Sequence, residues 1–467
     1  MQPNKVAAML TLLASKPTIG PSDAVNTRNY AMPIKVLLFF VVLATLPISP
    51  SLAANHYVRS GASGSANGSD WTNAYAALPS SLIRGDVYYV AGGTYSGRTL
   101  NTPVSGTSVI TIKGATFSDH GTDAGWSNQY SVEISPAVWN STITFSTSYW
   151  LFDGVVGSLT RTTSAYGFAH PPGILSTGFL INNASNIVIS HVYSLATTSN
   201  VEKIFLQGSG AANDIKISHC YLDLWQNGMM TRWGASHAGW IFEYNMAMHG
   251  SSSSSNHGEW LNPNEADLDG LIVRYNWFEG WSNATGTGQT GTIVANNANN
   301  NNAEIYGNVF YNLFVGNGII SGTSAGNMNN AKVYNNTFVN NEVQALPLNG
   351  PGSGNVSYNN LFYLKTGGIG SGWSSDYNAY FSTSGSPSEA HKQTGSGSPF
   401  VNYGGAEFTL INPTNAGTPL PSPYNVDMFG NIRGADGVWD RGAFEFNAGN
   451  PPPSGRLPNP PANIQVD

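Results

Sequence analysis

Short runs of alternating apolar residues recur along the middle of the chain, and each run is followed by an asparagine or a histidine. The clearest run covers residues 271–278, with the sequence LIVRYNWF. Seven such runs have their asparagine or histidine at positions 191, 219, 245, 276, 308, 336 and 360, about 28 residues apart on average. A repeat of roughly 20–50 residues indicates a stacked architecture.

The spacing within each run distinguishes strands from helices. Apolar residues recur at every second position, as in a strand, and the runs are rich in residues that form helices poorly. Each repeat is therefore one coil of short strands, stacked about 4.8 Å from the previous coil. We expect inward residues such as Ile215 and Ile217 to form aliphatic stacks. We expect the recurrent asparagines to bond from coil to coil as a ladder.

Both ends of the repeat region resemble those of known proteins. Residues 57–61, 71–75 and 85–95 resemble the first coil of secreted bacterial β-helix proteins, and residues 427–430, Arg433 and residues 440–446 resemble their closing segment. With the repeats, they resemble the right-handed parallel β-helix superfamily, which includes pectate lyases and the chondroitinase- and alginate-lyase-like members. The resemblance implies an all-β fold, a single-stranded right-handed parallel β-helix over residues 55–446.

The segments outside the coils predict three further features. Trp71, Tyr75, Leu78 and Leu82 have near-helical spacing and predict a short helical cap over the first coil. Residues 32–54 contain a basic start, an apolar run and small residues, which is typical of a secretory signal peptide. We therefore interpret residues 1–31 as an over-extended, unstructured start and expect a secreted or cell-surface protein. Residues 447–467 are rich in proline and predict a disordered tail.

The composition and the net charge limit the kinds of partner that the protein can bind. Charged residues make up 10% of the 467 residues, against about 25% in ordinary domains. The formal net charge of −7 makes nucleic acid an unfavourable partner. The single cysteine, Cys220, excludes an intrachain disulfide, and we interpret it as buried packing. We expect a monomer with no membrane segment once the signal peptide is removed.

Equivalent positions in successive coils of a solenoid form vertical rows. Counting 12–14 residues from each recurrent asparagine or histidine predicts one row that contains Lys203, Arg232, His257, Glu259 and Gln289. Each has a structural alternative: Lys203 as a solvated strand residue, and Arg232 as a cation stacked on Trp233. His257 and Glu259 follow a serine-rich departure from the coil pattern, and loops on rigid scaffolds often carry sites.

This set of residue types suits β-elimination of a uronate polysaccharide. The reaction needs a neutralised carboxylate, a base for the C5 proton and a proton for the leaving oxygen. Lys203 is the first candidate for the base and His257 the second, while Arg232 would clamp the carboxylate. Glu259 would hold calcium or orient His257. The resemblance to chondroitinase- and alginate-lyase-like members implies a Lys/Arg pair beside calcium; residues 256–259 match their segment loosely, and His257 departs from it.

Further residues are candidates for metal and substrate binding. An oxygen-rich stretch suited to calcium, with a solvated acidic loop as the alternative, contains Asn262, Asn264, Glu265, Asp267 and Asp269. The candidate calcium ligands are Glu259, Asn262 and Asp267. The candidate substrate-binding residues are Trp233, Trp260, Gln289, His237 and His249. The sequence favours a polysaccharide lyase with an acidic polysaccharide as its substrate. A glycoside hydrolase of the same fold ranks lower because no paired carboxylates appear on the coils, and a non-catalytic carbohydrate-binding or adhesion protein remains a third reading.

Overall fold

The computed structural model describes residues 53–447, apart from segments 160–164, 174, 198–201, 251–257, 282–290, 316–317, 324, 344–347, 350–351 and 365–367. The predicted start, nearly all of the predicted signal peptide and the predicted tail lie outside these residues, as do His257 and Gln289. Secretion and the domain limits therefore stay predictions. In the described part of the chain, no helix has the length and apolar character needed to cross a membrane.

Two long sheets are built from strands that pair in parallel with the equivalent strand of the next coil. Sheet A contains β1 (Asn55–Val58), β2 (Val87–Val90), β5 (Ile110–Gly114), β8 (Trp150–Asp153), β11 (Ile187–Ser190), β14 (Ile215–Ser218), β18 (Ile241–Glu243), β22 (Ile272–Arg274), β26 (Glu304–Tyr306), β31 (Lys332–Tyr334), β35 (Asn355–Tyr358) and β37 (Trp373–Asp376). Sheet B contains β3 (Gly93–Tyr95), β6 (Ala137–Trp139), β9 (Phe168–His170), β12 (Val192–Leu195), β15 (Tyr221–Asp223), β19 (Met246–Gly250), β23 (Trp277–Trp281), β27 (Val309–Tyr311), β32 (Thr337–Val339), β36 (Leu361–Tyr363), β38 (Ala379–Phe381) and β39 (Gln393–Gly395).

A third long sheet and three small ones complete the coils. Sheet C contains β4 (Thr99–Leu100), β7 (Ile143–Phe145), β10 (Thr177–Asn182), β13 (Ile204–Ser209), β16 (Asn227–Arg232), β20 (Glu259–Pro263), β24 (Gly291–Ala295), β29 (Gly318–Gly322) and β34 (Leu348–Asn349). Sheet D contains β17 (His237–Ala238), β21 (Leu268–Asp269), β25 (Asn300–Asn301) and β30 (Met328–Asn329), and the short pairs are β28 (Phe314–Val315) with β33 (Glu342–Val343) and β40 (Phe400–Asn402) with β41 (Glu407–Leu410). Two 3₁₀ turns cover Asn128–Tyr130 and Tyr403–Gly405. The predicted parallel β-helix is confirmed.

Stacks of like side chains fill the interior. Ile187 lies in register with Ile215, and both are fully buried, so the predicted aliphatic stacks are confirmed. An aromatic stack runs through five coils with ring centroids 4.8–5.1 Å apart: Phe278, Phe310, Phe338, Phe362 and Tyr380. Full burial of each such ring contributes about 1.5–3 kcal/mol. The repeated apolar positions therefore set the register of the coils.

A ladder of hydrogen-bonded asparagines lies where each coil passes from its strand in sheet A to its strand in sheet B. Each asparagine donates from Nδ2 to the Oδ1 of the next at 3.0–3.1 Å, through residues Asn245, Asn276, Asn308, Asn336, Asn360 and Asn378. Each Oδ1 also accepts the backbone N–H of the preceding asparagine, as between Asn308 and Asn276 at 2.9 Å. The predicted ladder is confirmed for its asparagines and extends to Asn378.

The two histidines assigned to the ladder, His191 and His219, lie one residue before it. The register aligns Ser218 with Glu243, so His219 aligns with Tyr244, and Cys220 occupies the ladder position and donates its N–H to Asn245 Oδ1. The residue that takes the left-handed conformation is this preceding one, with φ near 54° in His219 and Tyr244. The alignment by residue type was therefore wrong at these two coils. Cys220 is buried, as predicted.

The ends of the solenoid are covered by turns. Residues 71–84 form bends and turns, so the predicted helical cap is wrong. Trp71 nevertheless lies fully buried against Tyr57 and Trp126, with ring centroids 5.0 and 4.9 Å away. At the other end Arg441 donates to the Asn378 carbonyl at 3.1 Å. Both segments cover the edges of the stacked core without a helix.

His219 makes the stability of the fold depend on pH. Burial lowers the pKa of His219 to about 3, with the neighbouring His191 adding to the effect. In the unfolded chain His219 takes up a proton near pH 6.5, whereas in the folded chain it stays neutral at that pH. The stability that the neutral His219 gives to the folded state is therefore complete above pH 6.5 and is lost as the pH falls towards 3. Asparagine occupies the equivalent position in two later coils, as Asn335 and Asn359, with φ of 53° and 58°.

We expect the variant His219→Asn to gain stability relative to the wild type as the pH falls. The gain between pH 7 and pH 4 should be about 3 kcal/mol in the free energy of unfolding, because the variant has no imidazole to protonate. Chemical denaturation at several pH values measures it. If the free energy of unfolding changed with pH in the same way in both proteins, the lowered pKa of His219 in the folded state would be contradicted.

Candidate functional site

The outer face of sheet C brings together most of the described candidate residues. Its strands alternate between interior side chains such as Met229 and outward side chains such as Met230. One outward row runs through aligned residues of six strands: Thr99, Thr144, Leu180, Gln207, Met230 and Asn262. The only charged residues in the nine described strands of sheet C are Arg232 and Glu259.

Glu259 begins β20 and forms the buried end of a polar network. Its side chain is 1% exposed, and its Oε2 accepts from Asn262 Nδ2 at 3.1 Å. The same Nδ2 lies 3.2 Å from Asn227 Oδ1 on β16, where it also donates. These two contacts fix the orientation of the Asn262 amide, because the reverse orientation would set oxygen against oxygen.

The network continues to an ion pair nearer the solvent. Asn227 Nδ2 donates to Glu202 Oε1 at 3.4 Å, and Glu202 Oε2 lies 2.8 Å from Arg232 Nη2. Arg232 Nε is 3.9 Å from Glu265 Oε1, beyond hydrogen-bonding distance. A continuous series of contacts thus joins the buried Glu259 to Arg232, whose side chain is 19% exposed.

Trp233 forms the open edge of this network. Its side chain is 58% exposed, and the Arg232 guanidinium lies 5.3 Å from the centroid of its ring. A positive φ of 43° directs the chain out of β16 at this residue. The exposed indole beside a guanidinium combines an apolar face for a sugar ring with a donor for a carboxylate.

The charges of the network favour a cation. The network holds three carboxylates but one guanidinium: Glu202 and Glu265 flank Arg232, and Glu259 lies at the buried end. Asn262 Oδ1 is buried and has no hydrogen-bond partner among the described residues. Carboxylate and amide oxygens are the ligands that calcium prefers. Glu259, Asn262 and Glu202 therefore fit a calcium ion in donor type and charge, although the described residues contain no cluster of three or more His, Cys, Asp or Glu suited to a metal.

The predicted single row of catalytic residues is not formed. Glu259 aligns with Asn227, Arg232 aligns with Ser209, and Lys203 precedes Ile204, which aligns with Asn227. Arg232 and Glu259 lie on neighbouring strands of sheet C at different positions, and Lys203 lies just before β13. Lys203 is 8% exposed, and its Nζ donates to the Leu175 carbonyl at 3.0 Å. The ammonium is therefore engaged by the backbone.

Four other candidates lie away from the network. Trp260 is fully buried in the core and cannot stack on a sugar, and His237 is fully buried with Nδ1 3.0 Å from the Ala212 carbonyl oxygen. The predictions that Trp260 and His237 bind substrate are wrong. Polar neighbours in the sequence do not reveal whether a side chain points into the core or outward. His249 lies on β19 in sheet B, 3.1 Å from Asp223. Asp267 was a predicted calcium ligand, but its carboxylate accepts the backbone N–H of Asn299 on the next coil at 2.7 Å.

Two members of the network, Glu202 and Asn227, were not among the residues predicted from the sequence. Counting from the ladder could not find them, because the connections between sheets B and C differ in length from coil to coil. Glu202 is next to Lys203, so its position beside one of the few cations of the chain is a signal for it. Glu265 belongs to the oxygen-rich stretch that the sequence offers for calcium.

One comparison with a solved structure supports the fold. The crystal structure of the pectate lyase Pel9A superimposes with a TM-score of 0.52 at 16% identity, covering 85% of this chain and 97% of that chain. A GH136 lacto-N-biosidase from Eubacterium ramulus and the PL6 family alginate lyase AlyGC give TM-scores of 0.37 and 0.31 at 9% and 14% identity. These cover 73% and 77% of this chain, and 67% and 56% of the respective chains. No protein-family model and no curated protein matches the sequence.

The fold is thus the right-handed parallel β-helix of pectate lyase-like proteins. At 16% identity the likeness extends to the fold alone.

Proposed function

We propose that this protein is a secreted polysaccharide lyase that cleaves an acidic, uronate-containing polysaccharide on the outer face of sheet C. The observation that carries the proposal is the series of contacts from the buried Glu259 to Arg232, beside the exposed Trp233. The network offers carboxylate recognition, a stacking surface and a set of oxygen ligands on one face.

The residues of the network have distinct roles in the proposed β-elimination. A base removes the C5 proton, the electron pair forms the C4–C5 double bond, and the C4–O bond breaks as its oxygen takes a proton. Arg232 holds the uronate carboxylate and stabilises the negative charge that develops beside it. Lys203 and His257 are the candidates for the base, and Lys203 has to leave the Leu175 carbonyl to act.

Calcium is the proposed cofactor. Glu259, Asn262 and Glu202 would hold it, and it would supply a positive charge that neutralises the substrate carboxylate. The excess of carboxylates over guanidinium in the network and the buried Oδ1 of Asn262 support this proposal. Asp267 is not included, because its described side-chain contacts are with Asn299 and not with members of the network.

Incubation with pectate, alginate or chondroitin is expected to release unsaturated uronates, detected by ultraviolet absorbance. A chelator should abolish the release and added calcium should restore it. Glu259→Gln should weaken calcium binding, measured by titration calorimetry, by about 10-fold or more because a charged ligand is lost. Glu304→Gln is the matched control, since Glu304 pairs with Lys332 on sheet A.

The products decide between the proposal and its alternatives. New reducing ends without ultraviolet absorbance would mean hydrolysis and would contradict elimination. A second candidate function, carbohydrate binding without cleavage, is favoured by one observation: the Lys203 ammonium is engaged by the Leu175 carbonyl. Binding of a polysaccharide without any product would establish this second function.

A further inference from the structure

The face that carries the network holds little positive charge. Arg232 is the single lysine or arginine in the described strands of sheet C. The connections that lead from sheet B to sheet C contain three potential cations, Arg98, Lys203 and His257. The guanidinium of Arg98, just before Thr99, donates to the backbone carbonyls of residues 78–80. Lys203 donates to the Leu175 carbonyl, which leaves Arg232 as the cation of the described face that is placed to meet a carboxylate.

Negative charge exceeds positive charge around Arg232. Glu202 and Glu265 flank its guanidinium, and Glu259 lies at the other end of the network. One bound divalent cation would cancel the net negative charge of these four side chains but would leave no excess of positive charge. A polymer with a carboxylate on every sugar would place several negative charges along this face, and like charges at an interface oppose binding.

The face next to Arg232 suits uncharged sugars. The aligned residues on the side towards the N-terminal coils are Thr99, Thr144, Leu180 and Gln207, all without charge. Asn182 and Ser209 lie in register with Arg232 on the two preceding strands. From β4 to β16 the coils span about 19 Å at about 4.8 Å each. An extended run of sugars would therefore contact hydroxyl, amide and apolar groups before it reaches Arg232.

We propose that the polysaccharide is sparsely charged: a heteropolysaccharide in which one uronate contacts Arg232 and uncharged sugars occupy the row from Thr99 to Gln207. This inference rests on the proposed function of the same face. It distinguishes the substrate from homopolymers of uronic acid, in which every sugar is charged.

Polymers that differ only in charge density test the inference. Pectate, alginate and chondroitin are each compared with samples in which carbodiimide activation and borohydride reduction have converted a part or all of the carboxylates to alcohols. We expect the affinity to be highest for a partly reduced sample, about 10-fold above that of the fully charged parent at low salt. Raising the salt concentration should strengthen binding of the fully charged parent, because it screens the repulsion.

The variant Glu265→Gln sharpens the test. Removal of the exposed acid 3.9 Å from Arg232 should raise the affinity for the fully charged polymer several-fold more than that for the partly reduced one. Tightest binding to the fully charged polymer, weakened by salt, would overturn the inference and leave the proposed function intact. If the wild type bound the fully reduced polymer as tightly as the partly reduced one, the inference would also be overturned, because the uronate would have no role in binding. Failure to bind or cleave any sample would overturn the proposed function together with it.

Discussion

Replacement of Asn308 by leucine is expected to lower the free energy of unfolding by about 4 kcal/mol. Asn308 is fully buried, and its Nδ2 donates to the carbonyls of Val273 and Tyr306 and to Asn336 Oδ1. Its Oδ1 accepts the backbone N–H of Asn276 at 2.9 Å. Leucine has a similar shape but leaves these buried groups without partners, at about 1–3 kcal/mol for each unsatisfied group.

The shift of the denaturant midpoint at an unchanged m-value measures this loss. Asn297→Leu is the matched control, because Asn297 is exposed and bonds only to the side chain of Asn264 among the contacts described for it. We expect this control to change stability by less than about 0.5 kcal/mol. Similar losses in both variants would contradict a specific role for the ladder.

The sequence predicted the parts of the fold that repeat. Stacks such as Ile187 on Ile215 arise because each coil has to bury the same alternating positions, and this alternation is visible in the sequence. The asparagine of each coil was equally visible. The histidines were misassigned because His219 and Asn245 follow similar strands, although the hydrogen bonds place Cys220 at the ladder position.

The candidate site was only partly predictable, because it depends on how far each connection shifts the following strand. Arg232 and Glu259 were found, but their partners Glu202 and Asn227 were not. Trp260 and Glu259 are adjacent in sequence, yet one side chain lies in the core and the other in the polar network. Alternation predicts opposite faces for such neighbours but does not say which one faces outward when both are bulky.

Replacement of Arg232 by lysine is expected to lower kcat/KM on the acidic polysaccharide between about 10-fold and 100-fold. Lysine keeps the positive charge beside Glu202 but lacks the planar fork that binds a carboxylate through two N–H groups. The loss of one charge-assisted hydrogen bond costs about 1.5–3 kcal/mol. Initial rates of ultraviolet absorbance measure the change, and the affinity of the polysaccharide should fall in parallel.

Arg274→Lys separates recognition from stability. Arg274 lies on sheet A with its Nε 2.6 Å from Glu243 Oε2, and its side chain is 27% exposed, close to the 19% of Arg232. The same substitution there alters a similar ion pair on a different sheet, so kcat/KM should stay within about twofold of the wild type. Because both variants keep a cation beside a carboxylate, their thermal midpoints should change by similar amounts. An equal loss of activity in both variants, or none in Arg232→Lys, would mean that Arg232 does not bind the uronate.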